Sequence, residues 1–227
     1  MKNLIAAFCM SLLVLGCSST ENPSDDGGGN GGGIPAQATY IVTFEPSFTS
    51  DTHPTDYPGN AGFSKMVIVA HGTGTSLFSI GSLASAGFKD YVENGNTSML
   101  EAELSSTELN PTTIKIGNDI SADGSDSATI VITPSTTRIS VAIKISPSPD
   151  WFLGMNAQNF LNPDNTLVES IGFRLYPLDG GTDSGTTYLS PDEPEPGPIQ
   201  VILGLPFVDP MTNEIASLGM LNFQKID

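Results

Sequence analysis

The run at residues 138–145 constrains the fold more than any other stretch of this chain. It alternates Ile139, Val141, Ile143 and Ile145 with Ser140, Ala142 and Lys144. A period of two puts one set on each face of an extended strand. β-Branched side chains lose freedom in a helix and pack well on a pleated surface, so the run is a strand. Ile139, Val141, Ile143 and Ile145 are expected to face inward and Ser140, Ala142 and Lys144 outward, as in a sheet with one buried face. Apolar runs of similar length lie at 40–44, 66–70, 112–116 and 128–133, with further candidates at 168–175, 200–203 and 218–224. Turn clusters at 123–126, 162–165 and 209–213 separate them. Short, evenly spaced strands joined by Gly, Pro and Asn turns predict an all-β sandwich or barrel. One short helix is expected over 83–92, where Leu83, Gly87 and Tyr91 share a face.

Three segments are expected along the chain. Lys2 and the apolar stretch 4–15 form a leader too short to span a bilayer stably. It ends in Val14, Leu15, Gly16 and Cys17, which resembles a bacterial lipoprotein signal, with Cys17 as the lipidated residue. Residues 18–33 are rich in Ser, Asp and Gly and have nothing to bury, so they read as a flexible tether reaching about 20–24 Å. Residues 34–227 read as one domain, with no second linker, charge block or repeat to divide them. Removal of the leader takes Cys9 with it and leaves Cys17 acylated, which excludes disulfides, cysteine-ligated zinc and thiol catalysis from the domain.

Two bends between 146 and 185 carry carboxylates. Pro147 and Pro149 stiffen the approach to Asp150, and Gly180 and Gly181 let the backbone curl between Asp179 and Asp183. Acids held on bends suit a hard cation with oxygen ligands, Ca²⁺ above all. The same residues also suit plain turns, in which each Asp side chain caps backbone amides. Spacing leaves both open.

The segment 148–154 (Ser-Pro-Asp-Trp-Phe-Leu-Gly) followed by 175–185 (Leu-Tyr-Pro-Leu-Asp-Gly-Gly-Thr-Asp-Ser-Gly) resembles the spondin amino-terminal domain. The first strand at 38–44, His53-Pro54, Tyr57-Pro58, Phe63-Ser64, His71, the segment 83–88 and Glu93-Asn94-Gly95 follow in that family's order. The resemblance covers about residues 36 to 226. It implies an antiparallel β-sandwich related to C2 domains, with one bound calcium held by Asp150, Asp179 and Asp183. It also implies an adhesion-type module, with no particular partner transferable.

Charge narrows the partners. With 25 acidic against 8 basic residues the chain carries −17, which argues against nucleic acid and against electrostatic adhesion to anionic membranes. His53 and His71 are weighed as catalytic residues, with Ser184 as a conceivable nucleophile, but no Gly-x-Ser-x-Gly elbow or zinc-type histidine spacing accompanies them. Trp151 is either an exposed aromatic platform or a residue packed under the loop that holds Asp150. The Pro-rich acidic stretch 190–198 is expected to fold over the rim of that loop, with Asp192, Glu193 and Glu195 as conceivable outer ligands.

The expectation is a monomeric, non-enzymatic, calcium-binding module, lipid-anchored through Cys17 in the bacterial cell envelope, on the periplasmic or surface face. It would bind an extracellular ligand, a glycan or a matrix-like protein. Alternatives are a secreted hydrolase that uses the loop carboxylates and a structural subunit of an envelope complex.

Overall fold

Alternation shapes the first layer. In the computed structural model, which describes residues 37–106 and 112–227, strand β1 (Ala38–Pro46) buries Ala38, Tyr40, Val42 and Phe44 and turns the residues between them outward. The expected leader (1–17) with Cys17, and the expected tether (18–33), lie outside the described residues. The chain continues through β2 (Gly62–Phe63), β3 (Val67–His71), α1 (Ala86–Asn94), α2 (Ser98–Ser105), β4 (Thr112–Ile116), β5 (Ile120–Ser121) and β6 (Asp126–Ile132). It ends with β7 (Arg138–Ser146), β8 (Trp151–Asn159), β9 (Ser170–Leu175), β10 (Pro177–Asp179), β11 (Gln200–Val201) and β12 (Gly219–Lys225).

The strands form two antiparallel sheets, the all-β sandwich expected. The smaller runs β6-β1-β12-β9 and the larger β11-β10-β8-β7-β2-β5. Two strands share one edge of β7: β2 pairs its end, and β3 pairs residues 138–142 and carries β4 beyond. Between the sheets lies the main core. Tyr40, Val42, Phe44, Ile130 and Phe223 from the small sheet meet Ile68, Ile139, Val141, Ile143 and Leu153 from the large one.

The large sheet is covered on its other face too. Val67, Val69, Ala142 and Phe152 pack against Phe88, Tyr91 and Val92 of α1 and Leu100 and Leu104 of α2. The outward face expected for β7 is therefore not outward: Ser140, Ala142 and Lys144 are all buried. A strand sandwiched between a sheet and a helical layer has no solvent side, and its polar residues need internal partners.

The helices also depart from expectation. Helix α1 begins at Ala86, because the Ser85 hydroxyl accepts from the Phe88 amide and caps the helix there, leaving Leu83 exposed in the preceding loop. Gly95, at φ 73°, closes its other end. Helix α2 was not expected at all. It has no side-chain N-cap and only eight residues, so its support is tertiary. Glu103 accepts from the Gly87 amide (2.7 Å) and the Ser85 hydroxyl (2.6 Å), and so caps α1 from its neighbour. A Cβ on Gly87 would lie 2.6 Å from the Leu100 nitrogen, so the close packing of the two helices requires glycine there.

Strand β8 was also missed, although it pairs with β7 and β10 at the centre of the large sheet. Gly154, Asn156, Gln158 and Asn159 are poor strand formers. A Cβ on Gly154 would lie 2.8 Å from the Phe78 ring, which explains the glycine.

Candidate functional site

Strand register assembles the acidic site. The β7–β8 turn presents Asp150, and β10 pairs antiparallel with β8 so that Asp179 stands opposite Trp151. That pairing puts Asp179 beside the turn that carries Asp150. Beyond it the chain bends at Gly180 and Gly181 and folds back over Asp150. The Gly180 amide donates to the Asp150 carbonyl (3.2 Å). The Thr182 amide (2.7 Å), the Thr182 hydroxyl (3.2 Å) and the Asp183 amide (3.2 Å) all donate to Asp150 Oδ2. Gly181 has φ 67°, and a Cβ there would lie 2.4 Å from the Gly197 carbonyl oxygen.

The Pro-rich stretch forms the rim, as expected. The Gly197 amide donates to the Gly181 carbonyl (2.7 Å), the Glu195 amide to the Thr182 carbonyl (3.2 Å) and the Ser184 amide to the Glu193 carbonyl (2.9 Å). Asp183 ties the two segments together, accepting from the Gly185 amide at Oδ1 (2.7 Å) and from the Glu193 amide at Oδ2 (3.0 Å). Asp179 accepts from the Gly181 amide at Oδ1 (2.7 Å). A cleft of about 320 Å³ opens between the segments, with Asp179, Asp183, Ser184, Glu195 and Gln200 among its lining residues.

The turn-cap function is thus realised: every one of the three aspartates accepts at least one backbone amide. Asp150 nevertheless differs from the other two. It is completely buried, and its Oδ1 has no hydrogen-bond partner. Burial pushes its carboxyl pKa up, the Thr182 amide pulls the other way, and the neighbouring Asp179 charge raises it further. A buried, half-satisfied carboxylate is costly unless something positive approaches it.

A buried cation serves the turn that carries Asp150: Lys144, which sequence reasoning placed on a solvent face. It is 5% exposed, and its ammonium donates to the Ser148 carbonyl (3.0 Å) and hydroxyl (3.2 Å). Burial pulls its pKa down to about 8, while Asp150, Glu93 and Asp183 oppose the fall. A lysine set between Ile143 and Ile145, in a run of apolar and small residues from Ile139 onward, was the signal that could have marked it.

For a cation, the orphaned Asp150 Oδ1 is an oxygen of this site that fits directly. Among the described residues no three His, Cys, Asp or Glu side chains are arranged as a metal-holding group. A calcium here would therefore need main-chain or hydroxyl oxygens alongside the aspartates, which is ordinary for that ion.

The other candidates resolve differently. Trp151 is no exposed platform: it is buried, edge-on to Tyr188 (5.2 Å) and Phe207 (5.1 Å). His71 meets Ser140, not Ser184, with Nε2 at 2.8 Å from Oγ and Nδ1 at 2.7 Å from the Gly72 carbonyl. Both residues are wholly buried, beyond the reach of a substrate. His53 is buried against Phe48 and Phe207. Burial lowers the pKa of both histidines.

Comparison with known proteins identifies a family. The family model described as Spondin_N matches residues 38–204. Spondin-1 of Mus musculus is 28% identical over 204 residues, covering 83% of this chain and 25% of that protein. Spondin-2 of Rattus norvegicus is 30% identical over 162 residues (68% of this chain, 49% of the relative), and Spondin-2 of Homo sapiens is 30% identical over 164 residues (69% and 49%). The chain thus spans about a quarter of the length of the first protein and about half of the other two. A sandwich with both acidic motifs brought together on one loop pair, matched by the family model over most of its length, belongs to the spondin amino-terminal domain family.

Proposed function

We propose that this domain is a calcium-stabilised, adhesion-type binding module, not an enzyme, held at a bacterial cell envelope by lipidation of Cys17. The observation that carries the calcium is Asp150: a buried carboxylate with one oxygen unpartnered, its pKa raised by burial and by Asp179. Asp150, Asp179 and Asp183 would supply carboxylate oxygens, and the ion would neutralise charge that the loop pair otherwise holds in close quarters. Calcium's part is structural. It would lock the Gly180–Gly181 bend and the proline-rich rim in one arrangement, presenting the loops to an extracellular glycan or matrix-like protein. Family membership supports the binding role, and the −17 charge disfavours nucleic acid and bare anionic membranes as the ligand.

A hydrolase that uses these carboxylates finds one favouring observation, the raised pKa of Asp150. The complete burial of that side chain argues against it, because a general acid must reach its substrate.

The test is a thermal melt of the full chain in mild detergent, in excess EDTA and then in Ca²⁺ or Mg²⁺, with elemental analysis of the same sample. Calcium at about 100 times Kd should stabilise the domain by about 2.7 kcal/mol. Asp150→Asn should abolish the calcium-specific rise in midpoint. A wild-type melt indifferent to calcium in a metal-free sample, or a variant that responds like wild type, sinks the assignment.

A further inference from the structure

We propose that Lys144 is the internal counter-charge of the acidic loop: it holds the loop together without metal and weakens the binding of a dication there. This inference rests on the calcium reading above.

Three observations lead to it. First, Lys144 is buried on β7, in the place where an apolar residue would pack at lower cost. Second, its ammonium is aimed at the turn that carries Asp150. It donates to the Ser148 carbonyl and hydroxyl, while that hydroxyl donates to the Ile145 carbonyl (2.6 Å) and accepts from the Trp151 amide (3.2 Å). The lysine therefore clamps the backbone on both sides of Asp150. Third, no carboxylate among the described residues forms an ion pair with it; the described ion pairs join Lys89 to Glu93 and Lys225 to Glu169. Its charge interacts through space with Asp150 first, then with Glu93 of α1 and Asp183, under protein rather than bulk water, where screening is weak.

The consequence has two signs. Without metal, the three loop aspartates repel one another, and the ammonium offsets part of that repulsion. With a dication bound, the same ammonium faces a like charge. Removing the charge should loosen the metal-free loop and tighten the metal complex.

Lys144→Gln removes the charge and keeps a donor for the Ser148 carbonyl, whereas Lys144→Arg keeps the charge. Calcium titration calorimetry on the full chain in detergent, with melts in EDTA and in Ca²⁺, separates the cases. Lys144→Gln should melt lower in EDTA, bind Ca²⁺ about tenfold tighter and show a larger calcium-induced rise, the scale of a unit charge near a dication even at water-like screening. Lys144→Arg should keep the wild-type affinity. A Lys144→Gln protein folded only with Ca²⁺ also supports the inference. A purely structural lysine would lower both melts equally and leave Kd alone. Unchanged or weaker calcium binding by Lys144→Gln, or a variant unfolded with and without Ca²⁺, overturns the counter-charge. A wild type that ignores calcium brings down the metal site and this inference together, a result distinct from a responsive wild type matched by its variant.

Discussion

Gly181→Ala tests whether the seat of the acidic site is as tight as its geometry says. Gly181 has φ 67°, a left-handed conformation that costs a residue with a Cβ about 1–2 kcal/mol. The new methyl would also lie 2.4 Å from the Gly197 oxygen and 2.8 Å from the carbonyl carbons of Gly197 and Pro198. All three are backbone atoms, so no side chain can swing aside. The rim must retreat, which threatens the Gly197-to-Gly181 bond and the Gly181-to-Asp179 bond, each contributing about 1 kcal/mol. Together these give a loss of about 3–4 kcal/mol, a large share of a domain's usual margin. Urea unfolding followed by Trp151 fluorescence is a suitable assay, since the single tryptophan lies buried against Tyr188 beside the site. Gly59→Ala is the control: its Cβ would meet nothing within 4 Å, so its effect should lie between neutral and about 1 kcal/mol of stabilisation. If Gly181→Ala came within about 0.5 kcal/mol of wild type, or matched Gly59→Ala, the close approach of the two loops would be refuted.

Two other perturbations probe the layers around the site. Glu103→Ala should cost about 1–2 kcal/mol in urea unfolding, because it leaves the Gly87 amide and the Ser85 hydroxyl without their shared acceptor; a neutral result would mean that α2 does not cap α1. His53 and His71 both have folded pKa values below the ordinary 6.5, from burial. Such groups contribute stability that is present above 6.5 and lost as pH falls through their folded values. Their NMR titration midpoints should lie under 6.5, with stability declining on acidification through that window, and a midpoint above 6.5 for either would contradict the burial.

The first and main strands were legible because their period of two is a local property. Tyr40, Val42 and Phe44 alternate with outward residues, and nothing elsewhere in the chain is needed to read them. Strand β8 and helix α2 were not legible, for opposite reasons. β8 lacks strand-forming residues beyond Leu153 and is held by neighbours on both sides. α2 has weak local signals and is fastened by Glu103. The carboxylates were legible as a group, since the Pro and Gly residues that bend the chain beside them stand in the same segments. Their partners were not: Thr182 reaches Asp150 across 32 residues, and the Glu193 amide reaches Asp183 from the rim.

Residue order alone thus settles the all-β class, the inward face of β7 and the two acidic bends, because each depends on neighbours within a few positions. Packing settles the rest. Whether Ser140, Ala142 and Lys144 meet water depends on the helical layer that covers them, and the helices lie far from them in sequence. Whether Asp150 is a surface turn or a buried charge with one oxygen unpartnered depends on the register of β10 against β8 and on the rim folding back over it. Burial is a property of what lies on top. No single segment carries that information, and it is burial that turns an ordinary aspartate and an ordinary lysine into the charged centre of this domain.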